Sequence, residues 1–293
     1  MAFLLLGQTD AGKSTVAGHL LYKVGFFNKL NDSLGKTKYS SLLDIFEEEQ
    51  EQGKTKTHEF SHHKFQYDNK EYTLIDTPGH LIYIRALIEG LYSTKINLIV
   101  LVISSIADEF TSSFERGTVK EDLLLARSIG CSNLLVLWNK IDLIETHTHS
   151  KDNQNLLDAY VKKLRYKRIN HLDVSGWTGE NLLNMLSYIE SNNIISDEEK
   201  KDEGNGVELK LTCAFYLPEN EKLVITRGFI CILHHKSGEY EMEIKRINGK
   251  TKIIITDMQC IIDVKLNKPM IYSMQDKIIM RKNKYTIGYG FIS

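Results

Sequence analysis

Up to about residue 192, short apolar runs alternate with polar loops and with stretches whose apolar residues fall at helical spacing. The runs are Phe3–Leu6, Tyr72–Ile75, Leu98–Ile103, Leu134–Leu137 and His171–Val174. Each is rich in Leu, Ile and Val and is followed by a loop carrying polar residues, so each predicts a strand of an α/β domain. The stretch Val16–Val24 predicts a helix after the first run. Strand and helix in alternation predict a doubly wound α/β domain with a mostly parallel sheet, which binds its ligand at the carboxyl ends of the strands. Phe60–Tyr67 alternates apolar and polar positions instead, the pattern of an added edge strand.

The texture changes after this. Ser196–Gly206 is charged, ends in Gly-Asn-Gly and contains no apolar residue, so it reads as a linker. From Val207 to Ile292, short runs of β-branched and aromatic residues recur: 209–215, 223–226, 229–233, 240–247, 252–255, 260–266, 278–281 and 286–292. Turn signals separate them, among them Asn248-Gly249, which between two such runs predicts a hairpin. The expected organisation is an α/β domain over 1–195, a linker over 196–206 and a small all-β barrel over 207–293.

A chain of 293 residues is long enough for these two domains. No apolar run approaches the roughly 20 residues that span a membrane. The N-terminal run has no basic region before it and reads as a buried strand rather than a signal peptide. Cys131, Cys213, Cys231 and Cys260 are scattered without a C-x-x-C spacing, which predicts free thiols in a cytoplasmic protein rather than a zinc site. The net charge of −1 gives no overall basic footprint for nucleic acid. Residues 205–293 nevertheless carry 14 Lys/Arg against 9 Asp/Glu. A mildly basic second domain suits either contact with RNA or an ordinary solvated surface.

The chemistry lies in the loops of the first domain. Gly7-Gln-Thr-Asp-Ala-Gly-Lys-Ser-Thr15 fits the pattern G-x-x-x-x-G-K-S/T and sits between a predicted strand and a predicted helix. Glycines at such places let successive N–H groups face a phosphate, and the helix N-terminus adds partial positive charge. Lys13 is placed to reach the β- and γ-phosphates, and the Ser14 hydroxyl to ligate Mg²⁺. Asp76-Thr-Pro-Gly-His80 follows the second run. Asp76 there can serve Mg²⁺ and Gly79 can offer its N–H to a γ-phosphate, although Asp-x-Pro-Gly is also an ordinary turn. Trp138-Asn-Lys-Ile-Asp142 follows the fourth run. The carboxylate of Asp142 can accept from both the N1–H and the amino group of guanine, whereas adenine has no donors there. Asn139 can tie this loop down and the stem of Lys140 can cover the base. Ser175-Gly-Trp177 closes the set with small residues that let backbone approach the base.

Taken together these stretches resemble the translational GTPases of the elongation factor Tu and elongation factor 1-alpha branch, a group that includes the class-II release-factor and ribosome-rescue GTPases. The resemblance covers the whole first domain through GQTDAGKSTVAGHLLYKVG, LLDIFEEEQEQGKT, DTPGHLIYIRALIEG, GTVKEDLLLARSIG and VSGWTGENL. It implies binding of GTP or GDP with Mg²⁺ by Gly7, Asp10, Ala11, Gly12, Lys13, Ser14, Thr15, Gly79, Asn139, Lys140, Asp142, Ser175, Gly176 and Trp177. Mg²⁺ would be held by Ser14, Thr55 and Asp76. Catalysis would involve Lys13, Thr55 and His80, with His80 orienting the attacking water. Asp10 resembles the family's acidic residue for a monovalent cation. The second domain resembles the family's third domain in its last strands, 263–270 and 277–288, while the signature of the family's middle barrel is absent from the sequence.

The resemblance implies the ribosome as partner, with tRNA or a release- or rescue-type protein factor beside it, and a monomer that engages neither membrane nor DNA. Several positions depart from the family. Thr9 and Lys54 stand where it places an apolar gate around the histidine, and an unpaired buried ammonium cannot form a dry gate. Leu81 and Ile82 replace charged residues, Glu49–Gly53 lacks two arginines, and Asp122 replaces a histidine. Two function classes therefore fit: a ribosome-stimulated GTPase, and a nucleotide-loaded adaptor that hydrolyses weakly or not at all.

Overall fold

The structure is a computed structural model that describes residues 1–30, 32–43, 61–76, 96–128, 130–146, 148–191, 203–217, 222–236, 238–249, 251–283 and 285–293. Two compact units divide the chain: Met1–Leu123 with Cys131–Ser196, and Asp197–Ser293 with Leu124–Gly130.

The first unit carries a six-stranded sheet in the order β2-β3-β1-β4-β5-β6. The strands are β1 (Ala2–Leu6), β2 (Ser61–Tyr67), β3 (Lys70–Asp76), β4 (Leu98–Ser104), β5 (Asn133–Asn139) and β6 (Arg168–Asp173). All pairings are parallel except that of the edge strand β2 with β3. Every residue of β4 is buried, as a central parallel strand covered on both faces requires. Helices α1 (Lys13–Lys23), α2 (Ala107–Thr111), α3 (Val119–Ser128), α4 (Lys151–Lys163) and α5 (Leu182–Ser191) connect the strands. Leu182, Met185, Leu186 and Ile189 of α5 repeat at helical spacing, and all four are buried against α1 residues Val16, Ala17, Leu20 and Leu21 and the sheet face carrying Phe3, Leu5 and Val100. Burying each such side chain contributes about 1.5–3 kcal/mol. Chain order reverses at β1, which has β3 on one side and β4 on the other, so the loop after Leu6 lies at the switch point where open α/β sheets bind ligands.

His63 on β2 points into this core. It is 1% exposed and packs edge-to-face on Phe26. Burial, with a smaller contribution from His62, pushes its pKa from the ordinary 6.5 down to about 4. A histidine depressed on folding leaves stability untouched above pH 6.5 and costs stability as the pH falls toward 4, because the unfolded chain then binds the proton more readily. Between pH 7 and pH 5 the loss is roughly 2 kcal/mol. Urea unfolding of wild type and His63→Leu at both pH values checks this. The wild type is expected to lose that much more than the variant, and equal slopes would refute it.

The second unit is a closed antiparallel barrel of six strands in the order β10-β7-β12-β11-β8-β9. They are β7 (Glu203–Phe215), β8 (Ile230–His235), β9 (Gly238–Asn248), β10 (Met258–Ser273), β11 (Lys277–Lys282) and β12 (Tyr285–Ile292). Its core comes from alternate inward positions such as Leu209, Leu211, Cys213 and Phe215 on β7. All four cysteines of the chain are free thiols.

Three expectations are corrected. β7 begins at Glu203, inside the stretch read as linker, because Glu203–Gly206 pairs with Met270–Ser273 through backbone alone and needs no apolar side chain. Asn248-Gly249 is not a two-residue hairpin. Asn248 is still in β9 opposite Ile261, so residues 249–257 form a longer connection, and Gly249 has φ 140°, far from the left-handed helical value that a type I′ turn needs. The runs 223–226 and 252–255 do not become barrel strands. They meet only in the bridge Ile225↔Ile254.

Candidate functional site

The loop after β1 folds around its own glycines. Gly7 has φ 140°, and a Cβ there would lie 2.2 Å from the Val102 carbonyl oxygen, so no other residue fits. Gly12 at φ 90° and Asp10 at φ 66° complete the curl into α1. No side chain caps α1 and its first turn has no acidic residue, so its N-terminal N–H groups are left for an anion. Lys13 is buried and donates from Nζ to the carbonyls of Gly7 (2.6 Å) and Gln8 (3.1 Å). Burial lowers its pKa, and the carboxylates of Asp76, Asp122 and Asp10 oppose that shift. Ser14 is exposed at the helix start and Thr15 is half-buried beside it, while Ala11 is buried.

Asp76 ends β3 and faces the charge of Lys13. A hydroxyl and a carboxylate are hard oxygen donors of the kind that suits Mg²⁺, so Ser14 and Asp76 fit the expected ion. Thr55, Gly79 and His80 lie outside the described residues, as do Lys54, Leu81, Ile82 and the segment 49–53. Among the described residues no cluster of three or more His, Cys, Asp or Glu side chains could hold a metal by itself.

Asn139 at the end of β5 joins two loops. Its Nδ2 donates to the Ala11 carbonyl (2.9 Å), and its Oδ1 accepts from the Gly176 N–H (2.8 Å). One buried side chain thereby fixes the phosphate-type loop against the Ser175–Trp177 loop. Asp142 accepts from the Ser175 hydroxyl at 2.5 Å, which orients the carboxylate. The Ser175 oxygen in turn accepts from the Thr178 N–H (3.0 Å). Lys140 donates to Glu109 at 2.6 Å across the site. Burial pushes the Glu109 carboxyl up, but bonds from Lys140 and Ser104 outweigh it and hold its pKa below the usual value. Trp177 is 39% exposed and packs edge-on against Tyr39, with the Lys38 ammonium 5.2 Å from its ring centroid.

Other supports were not legible from the motifs. His19 on α1 donates from Nδ1 to the Gly176 carbonyl (2.8 Å) and stacks on Tyr39 at 3.7 Å. His149 meets Asp173 at 2.7 Å and stacks on Trp138, the residue before Asn139. The Asn181 amide donates to the Asp173 carbonyl (2.9 Å). Asp122, a departure in sequence, accepts from the Thr118 hydroxyl at 2.9 Å at the start of α3. Burial raises its pKa to about 6 against the pull of Thr118 and Lys13. Among the sequence signals, only its place in GTVKED pointed to it.

An uncapped helix N-terminus with a buried lysine, beside a loop whose carboxylate is oriented by a serine, can hold a phosphorylated guanosine. The comparisons agree. Residues 1–193 match the family described as Elongation factor Tu GTP binding domain. Elongation factor 1-alpha of Hyperthermus butylicus is 36% identical over 197 residues, which cover 61% of this chain and 44% of that protein. Elongation factor 1-alpha of Xenopus laevis is 35% identical over 195 residues, 61% of this chain and 41% of that protein. The chain therefore spans less than half the length of these relatives. Among solved structures, the GTPase-like domain of S. cerevisiae Ski7 bound to GTP has a TM-score of 0.72 at 15% identity, over 100% of this chain and 97% of that one, a likeness of fold. The chain belongs to the Elongation factor Tu GTP binding domain family.

Proposed function

We propose that this protein binds GTP and GDP and hydrolyses GTP as a translation-factor-like protein acting with the ribosome in the cytoplasm. The observation that carries this reading is the double tie of Asn139, which sets the phosphate loop and the guanine loop in fixed relation. In this reading Lys13 leaves the carbonyls of Gly7 and Gln8 for the β- and γ-phosphates, and Asp142 reads the base. Mg²⁺ held by Ser14, Asp76 and Thr55 would neutralise charge on the phosphates. His80 orients the water, and tRNA or a release- or rescue-type factor is the second partner.

A second reading, a nucleotide-loaded adaptor with little turnover, is favoured by Thr9. The structure leaves this residue exposed and polar where relatives of the resembled branch place one half of an apolar gate. Single-turnover hydrolysis of GTP with and without ribosomes separates the two. The first reading expects ribosomes to stimulate hydrolysis and His80→Ala to abolish the stimulation. Hydrolysis unaffected by both would leave the adaptor.

A further inference from the structure

The two ends of the barrel differ in charge and in what they show to water. Phe215 lies opposite both Met258 and Gly288, Lys282 opposite Tyr285, and Asn248 opposite Ile261. These registers bring the described residues 216–217, 222–229, 248–249, 251–258, 282–283 and 285 to one end. There Ile225 and Ile254 exchange both backbone hydrogen bonds, at 2.9 and 2.8 Å, and both side chains are fully buried. Side chains alternate along extended chain, so Val224 and Ile255, which face each other, and Ile253 beside them point outward. Val224 is 52% exposed, Ile253 50% and Ile255 64%.

Basic residues surround this aliphatic ribbon. Lys222, Arg227 and Lys252 are exposed next to it in sequence. Among the described residues at this end, four Lys/Arg (Lys222, Arg227, Lys252 and Lys282) stand against one acid, Asp257. The described residues that form the other end, 203–206, 235–236, 238–240 and 270–278, hold two Lys against three Asp/Glu. Two aromatic rings at the basic end already carry contacts. The Lys282 ammonium sits 5.4 Å from the Phe229 centroid, and Tyr216 stacks on Tyr289 at 5.7 Å.

We propose that this end of the barrel docks an acidic, aliphatic segment of a protein partner. Carboxylates of such a segment would meet Lys222, Arg227 and Lys252 while its aliphatic side chains cover Val224, Ile253 and Ile255. A phosphate backbone would satisfy the charges but leave the aliphatic side chains in water. A second copy of the chain would oppose like charges. The surface lies wholly on the barrel and does not depend on the nucleotide reading.

The test uses the full chain and a short fluorescein-labelled peptide in which Glu and Leu alternate, read by anisotropy. Controls replace Glu by Lys, Leu by Ser, or the peptide by an oligouridylate of equal length. The Glu/Leu peptide is expected to bind and both peptide controls to fail. Ile253→Ser with Ile255→Ser, and separately Lys222→Glu with Lys252→Glu, should each weaken binding roughly tenfold or more, with melting curves confirming the fold. If the aliphatic pair fails to fold, the charge reversal decides alone. Variants that bind like wild type would overturn the proposal. So would an oligouridylate that binds tighter than the peptide, or a dimer that dissociates when the aliphatic pair is replaced.

Discussion

Lys13→Ala is expected to weaken binding of GTP and GDP by roughly two orders of magnitude or more, and to leave the unliganded fold nearly as stable. The first expectation follows from charge. Asp76, Asp122 and Asp10 all act on the Lys13 ammonium. With the ammonium gone, these carboxylates would face incoming phosphates without compensation. Removing one partner of a desolvated charge pair costs about 2–5 kcal/mol in binding, and every 1.4 kcal/mol is about tenfold. The second expectation follows from burial. Desolvation already depresses the Lys13 pKa, so truncation relieves that cost while losing the bonds to Gly7 and Gln8. Titration with a fluorescent GDP analogue, alongside thermal unfolding without nucleotide, reads both. A variant that keeps wild-type affinity would move the phosphate site away from this loop.

Asp142→Asn is expected to lower GTP affinity roughly a hundredfold or more, and to turn the preference toward xanthosine triphosphate. Ser175 determines the direction of that change. Its hydroxyl donates to one carboxylate oxygen of Asp142. In the variant the amide oxygen inherits that bond, which turns the amide nitrogen toward the base. Guanine offers an amino donor there, so donor meets donor. Xanthine offers a carbonyl oxygen, which accepts. Competition between the two triphosphates measures the switch. A variant that still prefers GTP would show that Asp142 does not read the base. Adding Ser175→Ala should blur the preference, since the amide is then free to turn.

The parts legible in the sequence are those in which local pattern and tertiary role coincide. The fully buried strand β4 reads as an unbroken apolar run because both its faces are covered. Edge strand β2 reads as alternation because only one face is. The loop at Gly7–Thr15 was readable because its backbone demands glycine at fixed places. Contacts between distant segments left no such trace. Nothing local announces that Lys140 pairs with Glu109, or that His19 reaches Gly176 across 157 positions. Asp122 stands where the family has a histidine, but its sequence position does not show that burial raises its pKa to about 6 against the charge of Lys13. Within the barrel, the runs at 223–226 and 252–255 have strand composition, yet they supply one bridge because their outward residues find no neighbouring strand. Asn248-Gly249 carried a turn signal, but register was set by the pairing of Asn248 with Ile261.

Asn139 has a consequence for how a nucleotide leaves. Because one amide holds both Ala11 and Gly176, the two halves of the pocket share a single joint. With the two loops already held in fixed relation, a nucleotide that spans them would bind more tightly than either its base or its phosphate part alone. The same joint is a point of leverage. A partner that pulled either loop outward would break that loop's bond and leave the Asn139 amide free to turn, which would loosen its hold on the other loop.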